Sequence, residues 1–236
     1  MSVEVHTYRL EVRGAAAGRH VLRQERDGRN VHLEAETRFE GALGRAEVTQ
    51  LSRCTFDHNA SVAFVEHHKD PQSTRSFRID FDDEQGLVRM QREGDDSAEV
   101  PYLLPYRDPL SMMRDLRDAA PDRTRVWIPM LGKSVLARAL GEVELDTALG
   151  TRRARSYLLH PGGSRVWIDV RPPHAILRLA QATPEQTLDV LLVSVGSDTR
   201  MPAWETLEAE VGRKDAKKRR RRRRRGRGGR RGRSGG

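Results

Sequence analysis

Cys54, His58, His67 and His68, with Asp70 close behind, come nearest to a metal-binding set in this chain. A structural zinc site wants defended spacing and usually more than one thiolate. This sequence has one cysteine, at an apolar strand position, and its paired histidines precede a polar turn. No metal and no cofactor is therefore expected. Gly132-Lys133-Ser134 looks like the end of a phosphate-binding loop. Such a loop needs a second glycine five positions earlier, so that backbone N–H groups can surround a phosphate, and Trp127 stands there. A hairpin turn is the better reading. Ser111 lies near Asp108 without the Gly-x-Ser-x-Gly elbow of a nucleophile, and its hydroxyl suits the first turn of a helix. The stretch from Asp80 to Glu84 lacks the glycine and spaced ligands of a calcium loop. His174 and Asp169 would form an acid–base pair only if folding brought them into one cleft. Together these residues point away from an enzyme.

The C-terminus carries a stronger signal. Lys217 and Lys218 lead into Arg219, Arg220, Arg221, Arg222, Arg223, Arg224 and Arg225, and then Arg227, Arg230, Arg231 and Arg233 follow among glycines. Residues 213–236 hold 15 Lys and Arg against one acid, Asp215, a net charge of +14. Of the chain's 43 basic and 34 acidic residues, 28 and 33 remain in residues 1–212, a net charge of −5. The whole-chain value of +9 is thus a mildly acidic body joined to a very basic end. Arginine forks match phosphate oxygens, and glycine lets the backbone follow an irregular polyanion. The segment is similar to the arginine–glycine tails of RNA-binding proteins, but it has no Phe, Tyr or Trp on which bases could stack. Sequence-independent binding of RNA or DNA, or of ribonucleoprotein, is the expectation, with residues 213–236 disordered in isolation.

Trp127 and Trp167 occupy matching places in two Arg-Val-Trp-Ile strands. They either cover one sheet face or flank a ligand pocket. The second possibility supports an alternative function: a β-barrel-like carrier or binding module for an apolar or amphipathic ligand, which the tail would direct to an anionic surface.

These residues must be positioned by strands. Val31, Leu33, Ala35, Thr37 and Phe39 alternate with His32, Glu34, Glu36 and Arg38, the period of a strand lying half on a core and half in water. Phe77, Ile79 and Phe81 repeat the pattern, as do Val126, Ile128 and Met130, and Val166, Ile168 and Val170. Turn residues separate the runs, among them Asp27-Gly28, a pair suited to a tight hairpin. The short connections leave no room for a helix after every strand. The expectation is a mainly β domain over residues 1–200, a curved antiparallel sheet or open β-barrel of roughly eleven or twelve strands.

Two segments depart from this rhythm. Residues 108–119 have Asp108 as N-cap, Pro109 at the first helical position, and Leu110, Met113 and Leu116 at helical spacing. This helix should lay its apolar stripe over the concave face of the sheet or plug one end. Residues 201–212 read as a C-terminal helix, with Trp204, Leu207 and Val211 on one side.

Asp108, Leu110, Ser111, Leu116 and Arg117 resemble the central signature of a bacterial family, the domain of unknown function 3108 family. Thr147, Gly150, Thr151 and Ala154 resemble its Thr-x-x-Gly-Thr hairpin, and the strands around Trp167 resemble its Trp-containing pair. The resemblance implies an antiparallel, curved or barrel-like β fold and carries no catalytic residues. Members are mostly exported to the bacterial envelope. Here the N-terminal stretch carries charged residues where a signal peptide would be apolar, and no apolar run approaches the ~20 residues of a membrane span. A cytoplasmic protein is therefore expected.

Overall fold

The structure, a computed structural model, describes residues 3–92 and 96–198. The expected helix over 201–212 and the basic segment over 213–236 lie outside the described residues. The described chain forms one antiparallel sheet of fourteen strands, more than the roughly eleven or twelve expected. In chain order these are β1 (Val3–Val12), β2 (Ala15–Asp27), β3 (Asn30–Phe39), β4 (Ala46–Thr55), β5 (Ser61–Lys69), β6 (Thr74–Asp82), β7 (Leu87–Arg92) and β8 (Ser97–Pro101), then helix α1 (Pro109–Asp118), then β9 (Arg125–Met130), β10 (Lys133–Thr147), β11 (Gly150–His160), β12 (Arg165–Asp169), β13 (Ile176–Ala182) and β14 (Thr187–Asp198).

Each strand pairs with its sequence neighbours except that β8 and β9 do not pair. The first and last strands, β1 and β14, lie side by side in the middle of the sheet, while β8 and β9 form its two free edges. The hairpins are tight. Asp27 pairs with Asn30 around Gly28, whose φ of 58° is the left-handed conformation that glycine adopts at no steric cost. Gly18 has another reason to be glycine: a Cβ there would stand 2.0 Å from the carbonyl oxygen of Arg38. At that point the register of β1 against β2 also shifts, and such bulges bend a sheet.

The strand faces follow the period-two expectation. Val31, Leu33 and Ala35 of β3, Val126 and Ile128 of β9, and Val166 and Ile168 of β12 are all buried. Two apolar clusters fill the concave side. One gathers residues of β1 and β9–β14, including Tyr8, Ile128, Tyr157, Ile168 and Leu177. The other gathers β3–β7, including Val31, Leu33, Phe64 and Phe81. Helix α1 belongs to both, giving Met112 and Leu116 to the first and Leu110 to the second. It is buried well beyond the single stripe expected, since Ser111, Arg114 and Arg117 are buried as well. A helix enclosed on several sides must satisfy those polar groups internally.

The connection before α1 ties β5 to the edge strand β9. The N–H of Ser61 on β5 donates to the Tyr106 carbonyl at 2.9 Å, and the N–H of Arg107 donates to the Pro129 carbonyl on β9 at 2.8 Å. The Arg107 guanidinium continues the tie, reaching Asp115 of α1 at 2.7 Å and the carbonyl of His58.

Candidate functional site: a helix-anchored apolar cavity

The start of α1 is held by a buried polar knot. Asp108, only 2% exposed, accepts from the N–H groups of Leu110 at 2.8 Å and Ser111 at 3.1 Å through one carboxylate oxygen. Its other oxygen accepts from the hydroxyls of Ser52 on β4 and Ser61 on β5, each at 2.6 Å. Its own N–H donates to Ser61 Oγ at 2.7 Å and to Ser111 Oγ at 3.0 Å. Asp108 and Ser111 thus complete a reciprocal capping box, and the two strand serines dock that cap onto the sheet. The sequence assigned Ser111 this supporting role.

The far end of α1 is fixed by arginines. Arg155 of β11 donates to the carbonyl of Ala119 at 2.7 Å, where a helix C-terminus leaves acceptors free. Arg117 donates to Glu4 of β1 and to the Pro173 carbonyl, both at 2.9 Å. Burial raises the pKa of Glu4, but hydrogen bonds and charge from His6 and Arg117 outweigh it and bring the carboxyl down to about 2. Asn59, in the left-handed conformation at φ 54°, donates to Asp115 at 2.9 Å and to Asp118 at 3.1 Å. Helix position is therefore set by contacts at both ends.

Held in this way, α1 and the sheet border an open pocket of about 510 Å³. Its walls come from both halves of the sheet: Tyr8, Leu10 and Leu22 on one side, Leu159, Ile176, Leu179 and Val190 on the other, with Met112 and Met113 of α1 between them. This volume lies within the range of small-molecule sites. His20 of β2 is among the few polar side chains in the wall, and its Nδ1 is 2.8 Å from the hydroxyl of Thr37. Burial lowers its pKa to about 4, so the imidazole is neutral at physiological pH. Gln50 is tied to Glu66 at 2.7 Å. Lys133, Ser164 and Gln181 lie where the β9–β10 turn, the β11–β12 turn and the end of β13 meet.

Neither Trp127 nor Trp167 lines this cavity. Trp127 is 65% exposed, because Val126 and Ile128 on either side take the inward positions. Trp167 on β12 is half-buried against the first apolar cluster, and the guanidinium of its cross-strand neighbour Arg178 lies 5.0 Å from its ring. Gly132 forms the β9–β10 hairpin, as expected, and no phosphate loop is built around it. Among the described residues, no three His, Cys, Asp or Glu side chains gather to hold a metal. Burial, together with the Asp108 charge, raises the Cys54 thiol to about 12. His174 contacts the backbone carbonyl of Asp169 at 3.0 Å, not its carboxylate, and the two build a turn. The basic residues from Lys217 to Arg233 lie outside the described residues. Sequence reasoning missed the cavity and the place of Lys133 in it.

No family model matches the chain, and no curated protein matches it. A solved structure does: "Crystal Structure of Beta-barrel-like Protein of Domain of Unknown Function DUF1849 from Brucella abortus". The TM-score is 0.55 at 9% identity, over 83% of this chain and 98% of that one. At that identity the likeness is one of fold: an open, barrel-like antiparallel β architecture. Among the described residues, no helix is long and apolar enough to cross a membrane.

Proposed function

We propose that the β domain is a non-enzymatic binding module for an apolar or amphipathic small molecule, held in the cavity beside α1. One observation carries this reading: a space of about 510 Å³ with largely apolar walls beside α1. Unfilled apolar volume costs stability, since wall atoms lose their contacts, and a ligand restores them. Titrating the full-length protein with the neutral fluorophore N-phenyl-1-naphthylamine tests it. A saturable rise in fluorescence near one-to-one stoichiometry is expected, lost in Leu179→Trp and Val190→Trp, which fill the space. Absence of binding to the intact protein, or unchanged binding in both filled variants, refutes the reading.

A second reading is favoured by charge. The +14 of residues 213–236 beside a body of −5 supports sequence-independent association with RNA or DNA through the C-terminus. If six to ten of these cations met duplex phosphates, affinity would fall by ~10³ to 10⁵ between 50 and 200 mM salt. Deleting residues 213–236 should abolish both the binding and its salt dependence, and unchanged binding would refute this reading. A cytoplasmic location belongs with it. Kinship with the domain of unknown function 3108 family is likewise proposed, supported by the residues of the Asp108 capping box.

A further inference from the structure

We infer that the cavity ligand is a single-chain amphiphile with an anionic head group, which the ammonium of Lys133 receives at the rim. The inference rests on the apolar-ligand reading and specifies the chemistry of both ends of that ligand. Among the described residues of the lining there is one full charge at neutral pH, that of Lys133, and no carboxylate. The side chain of Lys133 is exposed and makes no hydrogen bond or ion pair with any other residue described, whereas most arginines of the domain are engaged. Residue 133 opens β10 opposite Met130, directly after the hairpin glycine, which puts the base of its side chain at the cavity edge.

The surroundings fit a head group. Leu136 of β10 pairs with His160 of β11, so the strand direction carries Lys133 alongside the turn that contains Ser164. Ser164 Oγ accepts the N–H of Ala182 at 3.2 Å, which draws this turn to the end of β13, where Gln181 also lines the space. An ammonium, a hydroxyl and a carboxamide thus line the same space as Met112, Met113, Leu179 and Val190. A lysine with four methylenes can follow apolar wall and still hold its charge in water.

The volume of about 510 Å³ lies within the range of sites for a single small molecule, which suits an amphiphile with one acyl chain.

The test uses calorimetric titration of the full-length protein with dodecanoate, dodecanol and dodecyltrimethylammonium, each kept below its micelle concentration. Dodecanoate should bind about two- to fivefold more tightly than dodecanol, an exposed charge pair being worth ~0.5 to 1 kcal/mol. The preference should vanish in Lys133→Gln and return in Lys133→Arg. The basic C-terminus is present in every variant, so a preference surviving in Lys133→Gln comes from elsewhere and overturns the inference. Equal affinity of the wild-type protein for dodecanoate and dodecanol, with both displaced by Leu179→Trp, also overturns it while leaving the apolar-ligand reading standing. Binding of none of the three overturns both.

Discussion

Replacing Asp108 by alanine removes the acceptor at the centre of the knot that docks α1. Four donors lose their partner: the N–H groups of Leu110 and Ser111 and the hydroxyls of Ser52 and Ser61. Loss of an N-cap alone costs ~1 kcal/mol, and up to ~2. Each buried hydrogen bond to a charged acceptor contributes ~1.5 to 3 kcal/mol. The serine hydroxyls can turn toward each other, so these figures do not add fully, and a net loss of about 4 kcal/mol is expected. Against a total stability of ~5 to 15 kcal/mol this is a large fraction. Asp108→Asn retains an oxygen for the two amides but offers an NH₂ to the hydroxyls, one of which can turn to accept, so about 1 to 2 kcal/mol should be lost. Urea unfolding followed by tryptophan fluorescence measures both, with the midpoint falling at unchanged slope. An Asp108→Ala protein within ~1 kcal/mol of the wild type would refute the argument that this carboxylate holds the helix in place.

Other consequences follow from buried titratable groups. His20 is neutral in the fold with a pKa of about 4 against an ordinary 6.5, so its contribution is complete above pH 6.5 and is lost as pH falls toward 4. That contribution amounts to roughly 3 kcal/mol. In His20→Phe, urea midpoints should change less between pH 7 and pH 4 than in the wild type. Glu4 has the opposite displacement: its carboxyl lies at about 2, so its stabilisation is complete above its ordinary 4.5 and disappears as pH falls toward 2. Glu4→Gln should flatten the acid limb of the stability curve, and circular dichroism across pH 2 to 5 reads this. Cys54, buried and raised to about 12, should resist iodoacetamide at pH 8 in the folded protein and react fully in ~6 M urea, as peptide mass spectrometry would show.

The helix was legible because its signals are local: Asp108 and Pro109 at the start, apolar residues at helical spacing after them. Strands such as β3 and β12 were legible because their inward residues are apolar. β4 hides the same alternation, since its inward positions include Gln50 and Ser52, chosen to meet Glu66 and Asp108. β8 shows no pattern, with four of its five residues exposed. The outward direction of Trp127 was implied by the inward Val126 and Ile128, and parity outweighs the attraction of two matching aromatic residues. No local signal could reveal the cavity. Its walls come from most of the sheet, each wall residue looks like an ordinary strand interior, and the space arises from how far the sheet curls around α1. Lys133 was read as a turn residue, and only the closed arrangement of three turns shows what lies beside it.

The central pairing of β1 with β14 joins the first described residues to the last. As the chain emerges during synthesis, hairpins from β1 to β8 can assemble in order, each strand meeting a neighbour made moments before. The outer flank of β1 must wait, unpaired, until residues near 190 have appeared. The final step of folding is thus a long-range closure in mid-sheet, and a ribosome-bound chain halted before β14 presents an open ladder at β1 to whatever strand is near.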